Sequence, residues 1–221
     1  MTPLPPYSVR LVDRTWLARD IFQLELERPP SFHFEAGQGV RLAFRGVERE
    51  YSLVSHSADH RLALCVQLVE NGRLSPLLAE AGIGTVFTLT GPHGYFVLQP
   101  AEQPPVFVAT GTGVAPFVSM VRGGARGFKM IQGAATEDRL LYAHLLRDAA
   151  GSFVGCVSRN QGNRSPGPEF VAGRVTDCLQ NGSLAGRFDF YLCGRREMVR
   201  DATSIIDQRF PGSRVFFEIF F

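Results

Sequence analysis

The sequence has no excess of one charge: 23 basic side chains face 21 acidic ones, a formal net charge of +2 over 221 residues. That balance argues against nucleic acid or an anionic membrane surface as the main partner. Long apolar runs are missing too. The longest stretches free of Asp, Glu, Lys and Arg, Ala81–Ala101 and Gln103–Val121, are broken by prolines and glycines. A membrane span needs about 20 continuous apolar residues, so none is expected. The opening Met1-Thr2-Pro3-Leu4-Pro5-Pro6 lacks the basic flank and apolar run of a signal peptide, which predicts a cytoplasmic location. Clustered metal ligands are absent. Cys65, Cys156, Cys178 and Cys193 form no C-x-x-C pair; His33, His93 and His144 stand alone, and His56 and His60 lack the glutamate of H-E-x-x-H. Neither zinc nor a cysteine-ligated iron–sulfur cluster is expected, and Cys65, Cys156 and Cys178 read as small core hydrophobes.

What is present changes texture along the chain. Residues 7 to about 98 read as short strands (Tyr7–Asp13, Ile21–Leu26, Gly39–Phe44, Arg49–Ser55, Arg61–Val69, Thr85–Thr90) with one helix, Pro76–Ala81. This is the spacing of an antiparallel barrel or sandwich. After the proline-rich link 100–105, strands alternate with helices: Val106–Ala109 then Ala115–Val121, Phe128–Gln132 then Glu137–Ala149, Phe153–Ser158 then Val175–Gln180, Phe188–Cys193 then Glu197–Phe210, and a last strand Arg214–Phe221. That alternation predicts a parallel, doubly wound sheet. The fold class is therefore a two-domain β plus α/β chain, divided as 1–101 and 102–221.

Two segments carry chemistry. Val106–Phe117 runs from a buried strand through Gly111-Thr112-Gly113 to a proline at a helix start. Backbone N–H groups there suit a diphosphate, although an ordinary glycine turn has the same residues. Arg49-Glu50-Tyr51-Ser52 offers a phosphate-forking cation, a flat ring and a hydroxyl. Period two puts Arg49 and Tyr51 on one face and points Ser52 away, so Ser52 can act only at the strand's end, through a twist, or by its backbone N–H. At the C-terminus, alternation sets Phe216, Glu218 and Phe220 on one face. A carboxylate between aromatics is costly to bury without a task or a partner.

Arg49-x-Tyr51-Ser52, Gly72-x-x-Ser75, Gly91-Pro92-x-Gly94-x-Phe96, Gly111-Thr-Gly-Val-Ala-Pro-Phe117, Cys193-Gly194-x-x-x-Met198 and a terminal Glu218-x-aromatic follow one another in an order that resembles the ferredoxin–NADP reductase superfamily. The resemblance implies an FAD-binding antiparallel β-barrel, an NAD(P)-binding α/β domain and hydride exchange between nicotinamide and flavin. It implies that Arg49 binds the FAD pyrophosphate, Tyr51 stacks on the isoalloxazine and Ser52 lies near flavin N5. The turn Gly72 to Ser75, Leu74 included, would hold the other side of the pyrophosphate, and Val66, Gln67 and Leu68 the ribityl chain. Thr112, Gly113, Cys193 and Gly194 would meet the nicotinamide nucleotide. Glu218 would supply a carboxylate near its ring, and Phe220 would cover the flavin face opposite Tyr51.

The chain departs from the family pattern twice. Gly133-Ala134-Ala135 lacks the arginine of Gly-x-Arg, and Arg195 stands where proline commonly follows Cys-Gly, making with Arg196 either a solvated patch or a docking contact for an acidic protein. Ser158-Arg159, with Arg164 and Arg174 nearby and no acid at the strand end, favours NADP(H) over NAD(H). The implied activity is a monomeric flavin oxidoreductase exchanging single electrons with a separate carrier, ferredoxin or flavodoxin. Its rivals are an NADH-dependent reductase component of an oxygenase and an electron-transfer subunit of a larger complex. The last of these would carry a C-terminal cysteine cluster, and no cysteine follows Cys193.

Overall fold

The computed structural model describes residues 6–100, 102–159 and 169–220. They group into two compact units. The first takes the chain up to Leu98 together with Ala115–Gly123, and the second takes Gln99–Val114 and the chain from Gly124 onward.

In the first unit β1 (Tyr7–Ala18), β2 (Ile21–Glu27), β3 (Gly39–Phe44), β4 (Val47–Ser52), β5 (Arg61–Gln67) and β6 (Val86–His93) form an antiparallel sheet in the order β4-β3-β6-β1-β2-β5. Strand β1 pairs with β6 through Tyr7–Arg10 and with β2 from Leu11 onward, with register shifts after Leu11 and Trp16. Such irregularities bend a strand, and this one serves both halves of the curled sheet. It runs five residues past the predicted Asp13. Strand β4 instead ends at Ser52, not Ser55, because the chain there leaves β3 for β5. Leu53 bridges Leu64, the Val54 N–H donates to the Ala63 carbonyl (2.8 Å), and the Ala63 N–H donates to Ser55 Oγ (3.1 Å). This tie closes the barrel around Phe22, Leu24, Leu42, Leu64, Phe87 and Leu89, all fully buried. The helix α1 (Ser75–Glu80) follows β5. A second helix, α2 (Ala115–Arg122), packs in the same unit: Ser119 Oγ donates to the Ser55 carbonyl (2.7 Å) and Phe117 meets Phe96 edge-on at 5.6 Å.

The second unit is a parallel sheet of β7 (Pro105–Thr110), β8 (Lys129–Ala134), β9 (Ser152–Val157), β10 (Phe170–Ala172), β11 (Asp189–Arg195) and β12 (Arg214–Phe220), in the order β10-β9-β8-β7-β11-β12. The near-continuous burial of β7, β8 and β11 fits a sheet covered on both faces. Its helices are α3 (Ala143–Ala149), α4 (Val175–Asn181) and α5 (Arg196–Arg209). Two predictions need correction. The single helix expected over Glu137–Ala149 is a 3-10 turn, Glu137–Arg139, followed by α3. The chain breaks at Tyr142, whose φ is 55°, and the Gln132 side-chain amide donates to the Leu141 carbonyl at 2.8 Å in that break. Strand β10 was not expected; three residues are too few to show an alternation.

Candidate functional site

In the first unit the chemistry gathers where the barrel seam opens. Leu53–Leu64 is the bridge between β4 and β5, and continuing its antiparallel register sets Ser52 toward Cys65 and Tyr51 toward Val66. Beyond that bridge, β4 and β5 are not neighbours in the sheet order. Arg49 and Tyr51 share a face, as alternation predicts. Glu48 and Glu50 lie on the other, where Arg41 takes both, at 3.5 and 2.8 Å. Arg49 is consequently left without an ion pair among the described residues; its bond is to the Glu48 carbonyl, 2.7 Å away. Burial pushes the Tyr51 phenol up to about 12, with the charge of Arg49 acting the other way. Ser52 is buried and is the last residue of β4, so the strand's end is where it sits.

The turn after β5 is tight. The Gly72 N–H donates to the Val69 carbonyl (2.8 Å) and the Val69 N–H to Ser75 Oγ (3.0 Å). A Cβ on Gly72 would lie 2.9 Å from Ser75 Oγ and 3.0 Å from Val69 O, so a larger residue would crowd the turn. Of the other expected contacts, Val66 and Leu74 bury their side chains in the core and have only backbone to offer. The Leu68 N–H is taken by the Asp20 carbonyl at 2.7 Å, while Gln67 is half-buried at the end of β5. A guanidinium with no ion pair among the described residues, a largely buried ring and a glycine turn together fit an extended ligand with a flat ring and phosphates. FAD has those parts.

In the second unit the strand order reverses between β7 and β11, the place where open α/β sheets bind ligands beyond the strands' carboxyl ends. Gly111 (φ +56°) faces open space there and starts a 3-10 turn, Gly111–Val114, which carries Thr112 into α2. Gly113 is pressed onto β11: a Cβ would lie 2.5 Å from the Cys193 carbonyl oxygen and 2.8 Å from the Gly194 Cα. Gly194 in turn leaves no room for a Cβ against Thr110 Oγ1. At Gly113 two chain segments meet backbone to backbone. Thr110 itself, which the sequence did not single out, holds a buried hydroxyl with no hydrogen-bond partner among the described residues. Nothing in a Thr-Gly dipeptide signals that.

Register sets Cys193 beside Glu218 and Arg195 beside Phe220. Cys193 Sγ donates to Glu218 Oε2 at 3.9 Å. The thiol is fully buried, and burial first, then the carboxylate's charge and hydrogen bond, hold it well above the ordinary thiol range. At the carboxyl end of β9, Ser158 and Arg159 tie their N–H groups to the carbonyls of Ala134 and Ala135 (3.0 and 2.8 Å) and expose their side chains. Arg159 makes no ion pair among the described residues. Arg174 precedes α4, with its N–H on the Asp177 carboxylate at 2.7 Å; Arg164 lies outside the described residues. Glycines at the crevice and Arg159 exposed at the end of β9 fit a dinucleotide.

Comparison with known proteins agrees with both halves. An oxidoreductase FAD-binding domain model matches residues 8–98 and an oxidoreductase NAD-binding domain model matches residues 107–204. The reductase component of propane 2-monooxygenase from Mycolicibacterium goodii is 31% identical over 91% of this chain and 64% of its own length. Ferredoxin–NADP reductase B of Sorangium cellulosum is 36% identical over 64% of each chain. The chain thus spans about 64% of the length of these relatives. Among solved structures, a ferredoxin NADP+ reductase from Neisseria gonorrhoeae with bound FAD and NADP superposes with a TM-score of 0.85 over 98% of this chain and 99% of that one. At 23% identity this shows the shared fold. An Amycolatopsis cytochrome P450 reductase, GcoB, gives 0.83 at 26% identity over 98% of this chain and 70% of its own.

Proposed function

The chain belongs to the ferredoxin–NADP reductase superfamily, and on that premise we propose that it exchanges a hydride between NADP(H) and bound FAD and passes single electrons to or from a separate carrier, ferredoxin or flavodoxin. The observation that carries this reading is Arg49 and Tyr51 on one face of β4, with Arg49 making no ion pair among the described residues because Arg41 takes both neighbouring glutamates. In the same reading residues 1–101 form the FAD half and 102–221 the NAD(P) half, and the protein is a cytoplasmic monomer. Among the described residues no helix is long and apolar enough to cross a membrane.

When bound, FAD would supply the chemistry that accepts one hydride, two electrons, and releases the electrons one at a time. The chain's own residues bind, orient and manage protons. Arg49 neutralises a phosphate with a charge-assisted fork, Tyr51 offers its ring face, and Gly72 lets the Val69–Ser75 turn close under a second phosphate oxygen. Gly111 to Gly113 give backbone N–H groups to the dinucleotide, and Arg159 pairs with the 2′-phosphate that distinguishes NADP(H) from NAD(H). Cys193, beside the proposed nicotinamide site, stays a neutral thiol that donates its hydrogen bond to Glu218.

A second reading, an NADH-dependent reductase component serving an oxygenase, is favoured by the relatives named as monooxygenase and dioxygenase electron-transfer components. Anaerobic stopped-flow mixing with NADPH and with NADH, followed by ferredoxin or flavodoxin, separates them. Flavin reduction by NADPH in preference to NADH, then reoxidation by a carrier, is the expected result. Reduction by NADH alone would establish the second reading.

A further inference from the structure

One cation at the mouth of the second unit's crevice has no task in the mechanism above. Strand β11 is buried from Asp189 to Gly194, and Arg195 is its first exposed residue. Arg195 makes no ion pair and no side-chain hydrogen bond among the described residues, and its side chain does not cap α5, which starts at the next residue. Contacts on both sides fix its place. Gly113 lies against the Cys193 carbonyl and the Gly194 Cα, so Arg195 leaves β11 one residue beyond the point where the Gly111–Val114 turn touches the strand. The pairing of β7 with β11 ends at Ala109 and Cys193; continued by two residues it sets Arg195 opposite Gly111, which faces open space. On the other side, register places Arg195 beside Phe220 of β12, with the Cys193 and Glu218 pair two residues below. Neighbouring strands are about 4.8 Å apart, less than the length of an extended arginine side chain, so an anion held by the backbone N–H groups of that turn lies within reach of the guanidinium.

The strands run β9, β8, β7, β11, β12 along the carboxyl edge of the sheet, and a dinucleotide laid along that edge meets the chain in the same order. In the proposed site its 2′-phosphate meets Arg159 at the end of β9, its diphosphate the turn after β7, and its nicotinamide the Cys193 and Glu218 pair on β11 and β12. Arg195 falls between the last two. We propose that Arg195 is a second cation of the dinucleotide site and binds the diphosphate on its nicotinamide side, a phosphate that NADP(H) and NAD(H) share. Arg159 then discriminates between the two nucleotides, while Arg195 adds affinity for both, because its guanidinium forks onto a group that both carry. Arg195 is thus a substrate contact and not a docking contact for an acidic protein. This role rests on the proposed function.

The test titrates the full, flavin-loaded chain at equilibrium with NADP+, NAD+ and 2′-phospho-AMP, which carries the 2′-phosphate and lacks the nicotinamide-side phosphate. Arg195→Ala is expected to weaken NADP+ and NAD+ alike, each by about tenfold, as loss of a charge-assisted phosphate contact does, and to leave 2′-phospho-AMP within about twofold of wild type. Arg159→Ala is expected to do the converse, weakening 2′-phospho-AMP and NADP+ and sparing NAD+. Arg195→Lys keeps the charge and loses the fork, so its affinities should fall between those of wild type and alanine. Unchanged NADP+ and NAD+ affinities in Arg195→Ala would overturn the proposal. So would an effect confined to reoxidation of the reduced flavin by ferredoxin or flavodoxin, which marks a docking residue, or an equal loss for 2′-phospho-AMP, which marks a general effect on the unit. A wild-type chain that binds neither dinucleotide would overturn the proposed function itself. One that binds NAD+ but not 2′-phospho-AMP would fault the NADP assignment alone, and the NAD+ titration still decides the role of Arg195.

Discussion

The thiol of Cys193 points at the carboxylate of Glu218, Sγ to Oε2 3.9 Å, because parallel register sets the two residues side by side at the ends of β11 and β12. A fully buried thiol next to a carboxylate stays protonated. Its folded-state pKa lies above the unfolded value, so its contribution to stability is intact below about pH 9 and is lost as pH rises further. Cys193 is expected to resist iodoacetamide at pH 8, and the melting temperature is expected to fall between pH 8 and pH 10. A positioned proton-handling group contributes roughly 10²–10⁴-fold to a rate. Glu218→Gln should therefore lower turnover by at least about tenfold with a much smaller change in KM, as steady-state kinetics will measure.

Arg49→Ala is expected to weaken FAD binding by about ten- to a hundredfold, since a charge-assisted hydrogen bond contributes about 1.5–3 kcal/mol. Arg49 holds no ion pair among the described residues, so the melting temperature of the flavin-free protein should hardly move. Fluorescence titration of the apoprotein with FAD, beside a melting curve, reads both effects.

Two glycines three residues into the same motif should respond very differently to alanine. Gly111 has φ +56° with open space around it, so Gly111→Ala costs about 1–2 kcal/mol for a left-handed backbone. At Gly113 a methyl would meet the Cys193 carbonyl oxygen at 2.5 Å and its carbon at 2.7 Å, backbone that cannot swing away. Urea denaturation should show Gly113→Ala as clearly the more destabilising of the two. Equal effects would mean the β7–β11 contact is looser than described.

Arg159→Ala should raise KM for NADPH at least about tenfold more than for NADH, because only the 2′-phosphate gives its guanidinium an anion to pair with. Equal losses with both nucleotides would place Arg159 on a shared phosphate.

Asp189 is buried and takes Arg214 Nε and Nη2 at 2.8 and 2.6 Å; that hydrogen bond, against the opposing cost of burial, holds its carboxyl below the ordinary 3.8. A depressed carboxylate stabilises the fold above its unfolded pKa and loses that contribution as pH falls through the folded value. Stability should therefore drop below about pH 4. Asp189→Asn should flatten that acid limb in a melting-temperature profile taken from pH 3 to pH 7.

The sequence alone determined the fold class, the alternation that pairs Arg49 with Tyr51 and Glu218 with Phe220, and the glycine motifs, because these follow from local periodicity and from residues with restricted backbone choices. It placed β4 three residues too far and ran one helix through Tyr142, since strand ends are set by where a partner edge stops and helix breaks by contacts such as Gln132 to Leu141. Only the tertiary structure decided which charges are free. Arg41, eight residues before Arg49, neutralises Glu48 and Glu50 because β3 lies beside β4, and no reading along the chain could assign that pairing. The same holds for the Leu53–Leu64 bridge. Each joins residues from strands whose adjacency comes from sheet pairing and closure, which are long-range and carry no mark at the positions themselves.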